Sequence, residues 1–98
     1  LTIHYIQLDR PTRHALERVI AIAQTDTGQG RICASFLLAW HNPDDNGGFG
    51  LTDLWGLDDD TASDCRLLFD WISRYPVYPD ELGYGDDMTI LWRCWRDQ

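Results

Sequence analysis

The stretch Pro11-Thr12-Arg13-His14-Ala15-Leu16-Glu17-Arg18-Val19-Ile20-Ala21-Ile22-Ala23-Gln24-Thr25 sets the fold class. Leu16, Val19, Ile20 and Ala23 return at intervals of three and four, which places them on one side of a helix rather than one face of a strand. Pro11 suits the first turn, where its missing N–H leaves no bond unmade. Asp9 stands before it as a cap. Arg13 and Glu17 lie one turn apart on the outer side, and Asp26-Thr27-Gly28 ends the segment.

Downstream, a second helix is expected from about residue 30 to residue 41. Ile32, Phe36 and Trp40 form its stripe, with Cys33 and Leu37 beside them. Phe36-Leu37-Leu38-Ala39-Trp40 is apolar nearly all round, the mark of a helix covered on several sides. Asn42-Pro43 stops it. Residues 43–50, PDDNGGFG, read as an irregular loop carrying an exposed ring, Phe49, and Leu51-Thr52-Asp53-Leu54-Trp55 reads as one helical turn.

A third helix follows Asp58-Asp59-Asp60-Thr61, where acids favour the positive end of the helix dipole. Ala62, Cys65, Phe69 and Ile72 make its expected buried stripe with Leu68 alongside, and Asp70 and Arg74 pair outside. Tyr75-Pro76-Val77-Tyr78-Pro79 is a rigid connector, since each Pro forces its preceding Tyr into extended geometry. Asp86 and Asp87 open a last helix with Met88, Leu91, Trp92 and Trp95 as its stripe. Upstream, residues 1–8 (LTIHYIQL) are β-prone and suggest an extended arm or edge strand. The expectation is an all-α protein: a compact bundle of about four helices plus one short helical turn. Residues 1–9 form the arm and residues 10–98 a single helical domain.

The formal charge is −8, from sixteen acids and eight bases. Every base is Arg and fourteen of the acids are Asp, a bias that GC-rich coding or a salt-adapted surface would produce. Such a charge excludes simple phosphate-backbone binding, which needs a basic footprint. It favours encounter with a basic protein. Five Trp, four Tyr and three Phe supply the apolar area that a 98-residue core needs. Cys33, Cys65 and Cys94 form no CxxC pair, which signals buried free thiols and a reducing, cytoplasmic setting. No run is apolar enough for a membrane span. No leader is evident, though a start at Leu1 rather than Met leaves room for residues before it.

Few constellations carry chemistry. Asp44-Asp45-Asn46-Gly47 faintly resembles a calcium loop, but the twelfth position holds Trp55 where a closing Glu is required. His4, His14 and His41, with Ser35, Ser63 and Ser73, are scattered and match no hydrolase or phosphate-binding motif. No cofactor, metal or catalytic residue is expected. An interaction face remains: Asp44, Asp45, Phe49, Asp53, Trp55, Asp58, Asp59 and Asp60, in which aromatic anchors are ringed by charge. The competing role for Leu51, Leu54, Trp55 and Leu57 is a plug closing the bundle between the second and third helices.

Several segments carry a resemblance. They are Gly28-Gln29-Gly30-Arg31, Phe36-Leu37-Leu38-Ala39-Trp40-His41-Asn42, Gly47-Gly48-Phe49-Gly50-Leu51-Thr52-Asp53-Leu54-Trp55, Tyr78-Pro79-Asp80-Glu81-Leu82-Gly83-Tyr84-Gly85 and Trp95-Arg96. Across about residues 15–96 the chain resembles a group of small bacterial domains of unknown function carried on plasmids and integrated mobile elements. It departs from that group at His41 and Gly50, where an aromatic and an acid are expected. The resemblance implies no activity and so no catalytic residue. It implies a mobile-element context, in which small acidic proteins inhibit host defence by occupying basic, nucleic-acid-binding surfaces. The expected function is thus a non-enzymatic acidic module that binds a basic protein or a nucleic-acid-handling complex. The alternatives are self-association as a homodimer through the arm, or a small-ligand site or enzyme with a pocket under the Gly-rich loop.

Overall fold

Asp9 starts the first helix by accepting from the Thr12 N–H (3.3 Å) and the Thr12 hydroxyl (2.7 Å). The computed structural model describes residues 6–97. Helix α1 runs Arg10–Ala23 and buries Thr12, Ala15, Leu16, Val19, Ile20 and Ala23, the stripe its spacing predicts. Helix α2 runs Gly28–His41, starting earlier than expected because Thr27 caps it through the Gly30 N–H at 2.9 Å. Gly30 is required there, since a Cβ would run into the carbonyl oxygen of Thr25.

Pro43–Asn46 forms a short helix, α3, where an irregular loop is expected. The reason is a local cap: the Asn42 side chain accepts from the Asp45 N–H, and Pro43 occupies the first turn. Leu51–Gly56 is the anticipated helical turn, of 3₁₀ type. Helix α4 runs Asp59–Arg74 behind the Asp58 cap. The connector at residues 75–78 is non-helical, and a 3₁₀ turn at Pro79–Leu82 precedes helix α5, Gly85–Trp95. The all-α bundle is therefore present, and no strand occurs among the described residues. Of the arm, residues 1–5 lie outside the described residues. Residues 6–9 have no regular structure, and Leu8 is buried.

Helix α2 is the centre: α1, α3, α5 and both 3₁₀ turns pack on it, while α4 packs chiefly on α1. This explains why its second half is apolar all round. Leu16, Leu37, Leu38, Leu68, Met88 and Leu91 are fully buried where the long helices meet. Side chains tie distant segments together. Trp40 Nε1 donates to the Val77 carbonyl at 3.0 Å, and Arg96 Nε to the Asn46 carbonyl at 2.9 Å.

Three expectations about faces are corrected. In α4 the buried residues are Thr61, Cys65, Leu68 and Trp71, while Phe69 is 62% exposed. The buried stripe lies one residue to the side of the one read from sequence, because α1 covers the Leu68 edge. Trp92 of α5 is exposed, with Met88 and Leu91 taking the buried positions. Arg13 does not stand outside with Glu17. It is half-buried and donates to the Tyr84 hydroxyl at 2.9 Å.

Candidate functional site

The chain from Gly47 to Asp60 is shaped by what it must cover. Gly47, at φ 90°, lets the backbone leave α3 in a conformation that side chains resist. Phe49 then turns inward, its ring edge-on to Phe36 with centroids 5.5 Å apart. It is half-buried, not the exposed ring its loop setting suggests. Leu54 and Leu57 pack on the core, as the plug reading requires, whereas Leu51 is 69% exposed and does not. Gly56 sits so close to α2 that a Cβ would lie 2.8 Å from Ile32 Cδ1. Trp55, held between these inward residues, is left outside and is 85% exposed. It takes no part in the plug.

The acids follow directly. The Asp58 carboxylate accepts the Thr61 N–H at 2.8 Å, and its own N–H donates to Gln29 Oε1 at 2.9 Å. The backbone bond from Thr61 holds the Asp58 carboxyl below its ordinary value, with the Thr61 hydroxyl adding to the effect. Asp59 and Asp60 are exposed in the first turn of α4. Asp58 and Asp60 also line an open groove of about 560 Å³ between α1 and α4, with Arg18, Ile22, Ser63 and Asp64. Arg18 closes one side by a two-pronged ion pair to Asp64, both bonds 2.9 Å, and this pair raises the Arg18 pKa.

The eight predicted face residues do not form one surface. Asp58 is fastened to Gln29 at the start of α2, whereas α3, bearing Asp44 and Asp45, is fastened to its end through Asn46 Nδ2 and the Leu38 carbonyl (3.1 Å). Helix α2 has 14 residues, so these ends stand roughly 20 Å apart. Trp55, Asp58, Asp59 and Asp60 are adjacent at one end, with Asp53 half-buried on the same 3₁₀ turn. Asp45 is occupied by a bond from Asn42 Nδ2 at 2.9 Å.

Other reactive groups are dispersed. His41 Nδ1 is buried without a hydrogen bond among the described residues and lies 3.7 Å from Asp80 Oδ1. Ser35 accepts from Arg96 at 3.3 Å, and Ser73 donates to the Asp70 carbonyl at 2.6 Å, so neither hydroxyl addresses an imidazole. Cys33 and Cys65 are buried and share a hydrogen bond, which pushes the Cys33 thiol up and holds Cys65 down. Cys94 is exposed, against the expectation that all three are buried. No group of three or more His, Cys, Asp or Glu among the described residues is placed to hold a metal ion. No helix among them is long and apolar enough to cross a membrane.

A family of unknown function, DUF7673, matches residues 13–96, which takes in both 3₁₀ turns and every helix except the first turn of α1. The chain belongs to this family. No curated protein matches it, and no solved structure does. Membership brings no activity with it, so the family's match to residues 13–96 leaves the site to be read from its own chemistry.

The sequence left Trp55 open between an exposed anchor and a buried plug, and it gave no sign of the groove. The exposure of Trp55 depends on Gly56 meeting Ile32, a contact no local pattern announces, although a Trp-Gly pair leaving a short turn is its trace. The groove between α1 and α4 depends on Arg18 and Asp64, 46 residues apart.

Proposed function

We propose that the chain is a non-enzymatic interaction module that binds a basic protein. Trp55 is the anchor, and Asp58, Asp59 and Asp60, with Asp53, are its acidic surround. The observation that carries this reading is Trp55, a ring 85% exposed in a chain whose small core needs its aromatics. A large exposed ring beside charge is the composition of an interface hot spot. The −8 charge and the groove bordered by Asp58, Asp60 and Asp64 suit a Lys or Arg side chain of the partner.

The partner class is a basic protein of the kind that handles nucleic acid, occupied here in place of its polyanion. Inhibition of a host defence complex by a mobile-element protein is the sharpest form of this reading.

The test is affinity capture from cell lysate with the wild-type chain and with Asp59→Arg/Asp60→Arg, each washed at rising salt. A basic protein held by the wild type, released by salt and lost with the double variant supports the proposal. Retention of the same protein by the variant at every salt concentration contradicts it.

A further inference from the structure

A second cavity, of about 360 Å³, lies under the Gly-rich segment, away from the Asp58–Asp60 groove. Phe36 of α2 and Cys65 of α4 line it together with Phe49, Leu54, Leu51 and Phe69. Phe36 and Cys65 are buried, while Leu51 and Phe69 are 69% and 62% exposed, so the last two mark the mouth. Its size falls within the roughly 300–1,000 Å³ of small-molecule sites, which combine an apolar wall with a few placed polar groups.

The one charged residue on this wall is Arg66. Its guanidinium is exposed and has no ion pair or hydrogen bond to any described residue, in a chain with twice as many acids as bases. Helical spacing would offer it Asp70, one turn on. That carboxylate is taken by Arg74 through bonds of 3.1 and 3.4 Å. Phe69, three residues from Arg66, keeps that neighbourhood apolar.

From this juxtaposition we infer that the cavity is a binding site for a small amphipathic carboxylate. The apolar body lies over Phe36 and Cys65 between Leu51 and Phe69, and the carboxylate meets the Arg66 guanidinium, whose planar fork matches it in two bonds. The net negative charge of the chain does not oppose this at contact range, because the field of distant exposed acids is screened within about 8 Å at physiological salt. The site is independent of the Trp55 face, and a failure of either leaves the other standing.

The test is a titration of the ¹⁵N-labelled protein with octanoate and, separately, with 1-octanol. Octanoate is expected to give saturable shifts at the amides of Phe36, Leu54 and Phe69, and to bind about tenfold more tightly than octanol, the worth of one charge-assisted contact. Arg66→Gln should bring octanoate down to the level of octanol while octanol binding and the melting temperature stay unchanged. Arg66→Glu should reverse the preference, so that octylamine binds more tightly than octanoate. Equal affinity of the wild type for octanoate and octanol would show a site for an apolar side chain of a macromolecule and overturn the carboxylate assignment. Absence of saturable shifts would overturn the site itself.

Discussion

The indole N–H of Trp95 donates to the carbonyl oxygen of Ala23 at 2.7 Å, joining the last helix to the end of the first across 72 residues. Ala23 closes α1, where carbonyls lose their helical partners. The indole supplies one. Trp95→Phe keeps most of the apolar packing but leaves that carbonyl without its donor, and should lower stability by about 1–2 kcal/mol. Urea denaturation followed by circular dichroism measures it, and an unchanged midpoint would show that water replaces the indole freely.

The two tryptophans of the central region should behave in opposite ways. Trp55 is 85% exposed and Trp71 is 5% exposed, with its ring against Trp40 (centroids 6.5 Å apart) and Tyr75 (4.9 Å). Trp55→Ala should alter stability by less than about 0.5 kcal/mol, as surface changes do. Trp71→Ala should cost about 3–5 kcal/mol through the cavity it leaves. Paired thermal melts of the two variants decide the matter, and similar losses would mean that Trp55 is packed.

Gly28 and Gly30 stand two residues apart in the same first turn, yet they should respond differently to alanine. No atom lies within 4 Å of a Cβ at Gly28, so Gly28→Ala should leave stability unchanged or raise it by up to about 1 kcal/mol. At Gly30 the added methyl meets the Thr25 carbonyl and lies 2.9 Å from the Ile22 carbonyl, so Gly30→Ala should cost about 1–3 kcal/mol. Chemical denaturation of both variants checks this, and equal behaviour would place the Thr25 carbonyl elsewhere.

Acid should weaken the start of α4. The Asp58 carboxyl sits below its ordinary value of 3.8 because the folded chain donates the Thr61 N–H and hydroxyl to its charged form. A carboxyl lowered by folding stabilises the fold above its unfolded pKa, and that contribution is lost as pH falls through the folded value. Asp9 is lowered in the same sense, chiefly by the Thr12 hydroxyl. Stability should therefore decline below about pH 4, and Asp58→Asn, which keeps the cap oxygen without the charge, should show a shallower decline. Melting temperatures from pH 2 to pH 7 test this, and parallel curves for wild type and variant would exclude Asp58 as a contributor.

The helices were legible in the sequence because their signals are local. Pro11 after Asp9, the Leu16–Ala23 spacing, and the acid run Asp58-Asp59-Asp60 each place an element without reference to the rest of the chain. Faces were less legible. Cys65, Leu68, Phe69, Trp71 and Ile72 make an apolar arc too broad for the sequence to say which edge of α4 is covered, and only the position of α1 decides for Leu68 over Phe69. The site was legible in part. Asp58, Asp59, Asp60 and Trp55 were visible as charge beside a ring, but their separation from Asp44 and Asp45 is set by the length of α2. Arg66 carried no signal, because an unpaired guanidinium beside a cavity exists only once α2, α4 and the 3₁₀ turn have met.

The most direct measurement is a ¹H–¹⁵N titration of the wild-type chain with an arginine-rich peptide, resolved residue by residue. The proposed face predicts that the largest shifts fall on the Trp55 indole N–H and the amides of Asp53, Asp58, Asp59 and Asp60, and that they shrink with added salt. Shifts spread evenly over all acidic segments, or centred on Asp44–Asp45 or Asp86–Asp87 with the Trp55 indole unmoved, would contradict it.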